Sequence, residues 1–296
     1  MKELEMCTLC PRNCKVNRYK SVGVCGAGDK IKVAHYGLHM WEEPIISGES
    51  GSGTIFFSYC NLKCIFCQNY KISAEGYGKE ITEKRFQELC LELQQQGANN
   101  INLVTPTHYV PQIVNIIHKI KGKELKIPIV YNTSSYENVS TIQMLDGIVD
   151  IYLADLKYYN DNFACNYSHV KDYFHYASFA ICEMVKQVGP FVLKNNLMKR
   201  GVIVRILVLP GHVEDAKKLV HYLYTTYHDT IIISLMNQYT PLKKFDKYPN
   251  LNRKVTDQEY QEVIDYALDL GVKYAFIQEG ETQSESFIPN FDCSKI

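Results

Sequence analysis

Three cysteines with an unusual spacing are the residues of this chain best suited to bind a metal cluster. Cys60, Cys64 and Cys67 form a Cys-x3-Cys-x2-Cys motif directly after a short apolar run. Three thiolates on one loop can bind three irons of a cubane and leave the fourth iron open, whereas structural zinc normally takes four protein ligands. The motif therefore predicts an iron-sulfur cluster with one iron available to an outside ligand. A zinc loop and buried thiols without metal are the alternatives.

A second group of cysteines lies close to the amino terminus. Cys7, Cys10, Cys14 and Cys25 supply four thiolates, interspersed with proline and glycine. Tetrahedral zinc and a second iron-sulfur cluster both take four thiolates, and in a reducing compartment closely spaced thiols are metal ligands more often than disulfides. The spacing differs from that of bacterial ferredoxins, which favours zinc slightly. A second cluster and free thiols stay open as alternatives.

The hydrophobic pattern predicts the strands and helices that must position these cysteines. Six short runs are rich in β-branched residues and bounded by turn residues, as buried strands are. They cover residues 54–59, 101–105, 127–131, 148–153, 202–209 and 230–235. Three stretches have helical periodicity, around residues 86–93, 216–223 and 260–268. Thr82 is the expected N-cap of the first helix, and Thr256 and Glu259 form the expected capping box of the third.

Strands separated by helices predict an α/β fold with parallel, right-handed crossovers. The pattern fits an open doubly wound sheet or a closed or partial barrel, and in both the ligands gather at the carboxyl ends of the strands. We expect a Cys-rich amino-terminal extension at residues 1–50, a core domain at 51–280 and a carboxyl-terminal tail at 281–296.

Charge and composition narrow the function classes. The 32 basic and 32 acidic residues cancel, so the chain has no basic excess with which to follow a phosphate backbone. The first residues lack the apolar stretch of a signal peptide, and no apolar run is long enough to span a bilayer. We therefore expect a cytoplasmic protein with no membrane partner and no nucleic-acid partner.

The cysteine motif resembles the signature loop of radical S-adenosylmethionine enzymes, in which the third cysteine follows an aromatic residue. Phe66 supplies that aromatic here. The resemblance implies that Cys60, Cys64 and Cys67 hold a 4Fe-4S cluster and that Phe66 lies against the adenine of S-adenosylmethionine. It also implies reductive cleavage of this cofactor to a 5'-deoxyadenosyl radical that abstracts hydrogen from a substrate.

Within that superfamily the chain most resembles pyruvate formate-lyase activating enzymes, especially their uncharacterised PflX-like relatives. The motifs that carry the likeness include Glu42-Glu43-Pro44, Val104-Thr105-Pro106-Thr107-His108, Tyr131-Asn132-Thr133-Ser134-Ser135, Asp155-Leu156-Lys157 and Leu235-Met236-Asn237-Gln238-Tyr239. The resemblance implies a partial (β/α)6 TIM-type barrel. It also implies an electron donor such as flavodoxin or ferredoxin, and a protein or peptide substrate, a glycyl-radical enzyme among them.

The cofactor-binding residues that the resemblance implies follow the strands. Activating enzymes commonly have Gly-Gly-Glu after the second strand, where this chain has Thr105, Thr107 and His108. These side chains could still offer hydrogen bonds to the cofactor, although His108 could equally be a local helix cap. Asn132 and Ser134 follow the third strand.

The fourth and fifth strands supply charged candidates. Asp155 and Lys157 match the Asp-x-Lys motif of the activating enzymes, which makes Lys157 a candidate for binding the cofactor carboxylate. Arg205 lies within an apolar strand, so we expect it to face an interior with carboxylates or the cofactor. A purely structural ion pair is the alternative for Arg205, and a surface pair with Asp155 is the alternative for Lys157.

Two other function classes compete with the radical enzyme. A metal-binding regulatory or adaptor protein would also explain the cysteines, but it needs no ring of polar residues at strand ends. An RNA-modifying radical enzyme is disfavoured by the neutral charge. The sequence leaves the substrate undefined.

Overall fold

The computed structural model describes residues 1–278, 291, 293 and 296 of the chain. One mixed sheet dominates this part. Its ten strands are β1 Ile31–His39, β2 Ser52–Phe57, β3 Lys79–Ile81, β4 Ile101–Val104, β5 Ile129–Thr133, β6 Ile151–Asp155, β7 Val192–Lys194, β8 Leu197–Leu207, β9 Ile232–Met236 and β10 Ala275–Ile277.

The strands form a partial barrel. Seven of them run parallel in the order β2, β4, β5, β6, β8, β9 and β10. Strand β1 pairs antiparallel with β2 and β3 with β1, while β7 forms a hairpin with β8. All six predicted strands are present, which confirms the predicted partial α/β barrel. The observed sheet has a seventh parallel strand, β10, which was not predicted.

Ten α-helices accompany the strands in the described residues. They are α1 Lys2–Glu5, α2 Pro44–Ser47, α3 Tyr70–Ser73, α4 Glu83–Gln95, α5 Val110–Ile120, α6 Val139–Gln143, α7 Asp161–Ser168, α8 Tyr173–Val188, α9 Val213–Tyr227 and α10 Asp257–Leu270. The Thr82 side chain caps α4, and the capping box of Thr256 and Glu259 begins α10, as predicted. No helix in this part is long and apolar enough to span a bilayer.

Strand β1 was missed because its pattern is irregular. A bulge between Val33 and His35 shifts the register against β2, so polar and apolar residues do not alternate along the strand. The strand lies within the predicted extension of residues 1–50, yet it pairs with β2 in the main sheet. The boundary at residue 50 stays a prediction. Most of the predicted tail at 281–296 lies outside the described residues.

The segment between β1 and β2 enters the inside of the barrel. Pro44 begins the short helix α2, and Ile46 packs in a small apolar cluster with Val130, Leu153 and Ile203. A second, larger core lies among the strands and the helices α4, α5, α8, α9 and α10. The inserted segment therefore closes the lower part of the barrel and leaves the carboxyl ends of the strands open.

Candidate active site

A cavity of about 460 Å³ lies at the carboxyl ends of the parallel strands. This volume is typical of a small-molecule site. The cavity brings together ten of the residues predicted from sequence: Cys60, Cys64, Cys67, Phe66, Thr105, Asn132, Ser134, Asp155, Lys157 and Arg205. One wall is the cysteine loop, and the opposite wall is a polar network built from the strand ends.

The cysteine loop follows β2 and is fixed by its backbone. Tyr59 and Lys63 adopt positive φ angles of 77° and 52°, which turn the chain sharply on either side of Cys60. Leu62 is completely buried beneath the loop. The Ile65 N–H donates to the carbonyl of Tyr167 at 2.8 Å, so helix α7 supports the far side. The loop is thus held in place before any ligand binds.

Each thiol of the loop accepts at least one hydrogen bond. The Leu62 N–H donates to Cys60 Sγ at 3.4 Å, the Ser168 hydroxyl to Cys64 Sγ at 3.0 Å, and the Ser73 hydroxyl to Cys67 Sγ at 3.3 Å.

Burial favours the protonated form of Cys60 and Cys67 when no metal is near. Burial, reinforced by the neighbouring Cys64, raises the pKa of Cys60 to about 12, and the same two causes raise the pKa of Cys67. A buried thiol becomes a thiolate when cationic metal stabilises the charge. Three thiols on one side of a cavity match, in type and number, the ligands of three irons in a cluster.

Arg205 is the centre of the polar network. Its Nε donates to Asp155 Oδ1 at 2.7 Å, its Nη1 to Glu42 Oε2 at 3.2 Å and its Nη2 to Asn132 Oδ1 at 2.7 Å. Burial acts to lower the pKa of Arg205, but Asp155 and Glu42 outweigh it and raise the pKa above its usual range. Arg205 therefore faces the barrel interior and pairs with carboxylates, as predicted.

Lys157 completes the network on the side of the cysteine loop. Its Nζ donates to Asp155 Oδ2 at 2.7 Å, and its side chain is 18% exposed, toward the cavity. Burial acts to lower the pKa of Lys157, but Asp155 raises it above its usual value, so the ammonium stays charged. Burial likewise opposes ionisation of Asp155, while Arg205 and Lys157 lower its pKa overall.

Sequence reasoning assigned no role to Glu42 and Glu43, which form the floor of the cavity. Glu42 accepts from Asn102 Nδ2 at 2.9 Å as well as from Arg205. Glu43 is buried with one carboxylate oxygen unpartnered, and burial raises the pKa of both carboxyls. The sequence signal that could have identified them is the pair of adjacent acidic residues directly before a proline. Their segment precedes the first predicted strand, so periodicity could not place it inside the barrel.

Two predicted cofactor contacts lie outside the cavity. The Thr107 hydroxyl donates to Glu137 Oε1 at 2.6 Å, and His108 Nε2 contacts the carbonyl of Ser58 at 2.8 Å. Burial, together with the Arg18 guanidinium, lowers the pKa of His108 to about 3. Thr105 has a positive φ of 59°, after which the chain turns away from the cavity into a short 3₁₀ helix. Of the three residues, only Thr105 lines the cavity.

The amino-terminal cysteines pack beside the core. Cys7 and Cys25 are buried, and Cys10 and Cys14 are half-buried. A Cβ atom on Gly23 would lie 3.3 Å from Cys25 Sγ and 3.6 Å from Cys14 Sγ, so glycine lets the two sulfurs approach the backbone. No three His, Cys, Asp or Glu side chains of the described residues are placed to hold a metal ion.

Arg18 is buried next to these cysteines. Its Nη1 and Nη2 donate to the carbonyls of His108 and Gly28, and its Nε has no hydrogen-bond partner among the described residues. The guanidinium also lies over the Tyr109 ring, 5.7 Å from its centroid. Burial raises the pKa of Cys25, and the nearby Arg18 guanidinium acts to lower it.

The family follows from comparison with known sequences. The sequence model of the radical SAM superfamily matches residues 54–223, which include the cysteine loop and most of the barrel. This chain belongs to the radical SAM superfamily. An uncharacterised protein of Methanocaldococcus jannaschii is 31% identical over 281 residues, which cover 90% of this chain and 75% of that protein. Membership implies an enzyme that uses a 4Fe-4S cluster and S-adenosylmethionine.

Solved structures agree on the fold. A radical SAM methyltransferase from Sphaerobacter thermophilus is similar with a TM-score of 0.51 and 15% identity, over 77% of this chain and 66% of its own. Streptococcus suis SuiB bound to precursor peptide SuiA gives 0.51 and 16%, over 75% of this chain and 46% of its own. This radical SAM protein thus spans less than two thirds of either structure, and the likeness extends to fold alone.

Proposed function

We propose that Cys60, Cys64 and Cys67 hold the cluster of this radical SAM enzyme and that the adjoining cavity holds S-adenosylmethionine. The observation that supports this most is that three thiols, one buried and two half-buried, face a charged network across one cavity. When bound, the cluster and S-adenosylmethionine supply a 5'-deoxyadenosyl radical that abstracts hydrogen from a substrate.

The residues of the cavity divide the work of holding the cofactor. Lys157 offers an ammonium to the cofactor carboxylate, since its partner Asp155 already shares its charge with Arg205. Phe66 offers an aromatic surface for the adenine, with Tyr239 at 5.9 Å between ring centroids. The Asn132 side-chain amide accepts a hydrogen bond from Arg205 and donates one to Glu42, which makes Asn132 a positioning residue. Thr105 and Ser134 add hydrogen-bonding groups to the wall.

Replacing Lys157 with methionine should weaken binding of S-adenosylmethionine by roughly tenfold to a hundredfold, because a hydrogen bond to a charged group contributes about 1.5–3 kcal/mol. Calorimetry on cluster-loaded protein measures the affinity. Lys121→Met is the matched control, since Lys121 also pairs with an aspartate, at 2.8 Å from Asp150, but away from the cavity. Equal affinities for the folded Lys157 variant and the wild type would show that Lys157 serves only as the structural ion-pair partner of Asp155.

For the amino-terminal cysteines we propose an anionic metal-thiolate centre, with zinc preferred to a second cluster. Arg18 supports this proposal, because a buried guanidinium held by neutral carbonyls needs a nearby anion. Neutral thiols would leave that charge uncompensated. A metal with four thiolates carries net negative charge for either zinc or a 4Fe-4S cluster.

Metal analysis distinguishes zinc from a second iron-sulfur cluster at the amino-terminal cysteines. Protein purified without oxygen should carry about one zinc per chain, and chelation should loosen the first thirty residues while the barrel persists, because metal binding there is coupled to folding. Hydrogen exchange measures the loosening. The zinc proposal would fail if a variant lacking Cys60, Cys64 and Cys67 kept about four irons and a paramagnetic signal on reduction.

For the substrate we propose a protein or peptide, as the likeness to activating enzymes suggests, with flavodoxin or ferredoxin as electron donor. Trp41 supports this choice, because it lines the cavity and is 65% exposed, so an aromatic surface borders the entrance. Transfer of deuterium from a labelled glycyl-radical enzyme into 5'-deoxyadenosine would support the proposal. Transfer from a small metabolite in place of a polypeptide would contradict it.

A further inference from the structure

Ser168 connects the cysteine loop to the barrel core. It is the last residue of α7 and is completely buried. Its hydroxyl donates to Cys64 Sγ at 3.0 Å, which is shorter than the hydrogen bonds to Cys60 and Cys67. The same hydroxyl lies 2.8 Å from Tyr158 Oη.

The direction of this short chain follows from the number of protons. A serine hydroxyl has one hydrogen, and a metal-bound Cys64 thiolate can only accept it. With Cys64 in that form, Ser168 donates to the sulfur and Tyr158 donates to Ser168. A donor that itself accepts a hydrogen bond is polarised and binds an anion more strongly. Tyr158 is 1% exposed, and its ring centroid lies 5.3 Å from that of Tyr173. This packing holds the Tyr158 hydroxyl next to Ser168.

Arg12 of the amino-terminal extension fixes Ser168 against the loop. Its Nε donates to the carbonyl of Asn61 at 2.8 Å, and its Nη2 donates to the carbonyl of Leu62 at 3.4 Å, both on the cysteine loop. Nη2 also donates to the carbonyl of Ser168 at 3.1 Å. One guanidinium thus ties the end of α7 to the loop that carries Cys64.

We propose that Ser168, oriented by Tyr158 and held by Arg12, raises the reduction potential of the cluster bound by the cysteine loop. The inference rests on the proposed function. A hydrogen bond to a thiolate sulfur stabilises the reduced cluster more than the oxidised one, because reduction adds negative charge that the sulfurs share. Ser168 and Tyr158 are therefore positioning residues that make the cluster easier to reduce.

Ser168→Ala should lower the ratio of reduced to oxidised cluster about tenfold at a fixed potential, which corresponds to a midpoint about 59 mV more negative for a one-electron couple. Tyr158→Phe should shift it the same way by less, since Ser168 still donates. Ser168→Thr should restore the wild-type value. A redox titration followed by electron paramagnetic resonance measures the midpoint. Ser58→Ala is the matched control, because its buried hydroxyl donates to the carbonyl of Tyr77 and to no thiol.

Iron content distinguishes failure of this inference from failure of the proposed function. If the wild type binds no cluster, the proposed function is wrong. If the variants bind about four irons and both Ser168→Ala and Tyr158→Phe keep the midpoint of Ser58→Ala, the inference alone is overturned. If Ser168→Ala takes up no cluster, the midpoint of Tyr158→Phe is compared with that of Ser58→Ala. A more negative midpoint supports the inference, and an equal one overturns it.

Discussion

Replacing Arg205 with leucine is expected to destabilise the fold by about 3–5 kcal/mol, because removing one partner leaves buried charges without compensation. Arg205 is the partner that Glu42 and Asp155 share, and its own side chain is 12% exposed. Its loss would also leave Asn132 Oδ1 without the donor that it has in the wild type. Urea unfolding followed by circular dichroism measures the change in the free energy of unfolding.

Arg200→Leu is the control for this experiment. Arg200 lies on the same strand, β8, but is exposed, so its replacement should change stability by at most about 0.5 kcal/mol. Equal stability of the two variants would show that the network contributes nothing to the fold, and would contradict the placement of Arg205 inside the barrel.

Replacing Cys60, Cys64 and Cys67 together with alanine should remove all iron bound at the cavity, about four irons per chain, because no other described thiol lines that cavity. The visible absorption of the cluster should be lost with the iron. The fold should survive, since the loop is also held by Leu62 and by the backbone contact with α7. Iron analysis and circular dichroism check the two expectations.

Cys90→Ala is the matched control for the triple variant. Cys90 is a fully buried thiol on α4 that lies away from the cavity, so its replacement should leave the iron content unchanged. Full iron content in the triple variant would move the cluster to other cysteines, with Cys7, Cys10, Cys14 and Cys25 as the next set to test.

Local patterns were enough to predict the elements that carry the site. The six strands are continuous apolar runs, as strands covered on both faces are, and the caps at Thr82 and Thr256 mark helix starts by side-chain chemistry. Because parallel strands place their carboxyl ends together, the groups after them could be expected to meet. Cys60, Asp155 and Arg205 do meet in this way.

The remainder depended on tertiary contacts that no local pattern encodes. Glu42 reaches Arg205 because the segment before β2 enters the barrel, and this path follows no periodicity. His108 was a candidate because it follows a strand, but the positive φ of Thr105 directs the chain away from the cavity. Arg12 and Ser168 lie 156 residues apart in sequence, so their contact on the cysteine loop could not be anticipated.

The measurement that tests the central claim most directly is the formation of 5'-deoxyadenosine by anaerobically reconstituted protein. We predict that the nucleoside accumulates only when the cluster-loaded enzyme receives both S-adenosylmethionine and a reductant such as dithionite. We predict none from the variant that lacks Cys60, Cys64 and Cys67. Formation of 5'-deoxyadenosine by that triple variant would contradict the proposed function, as would its absence from reduced wild-type protein with about four irons and S-adenosylmethionine bound.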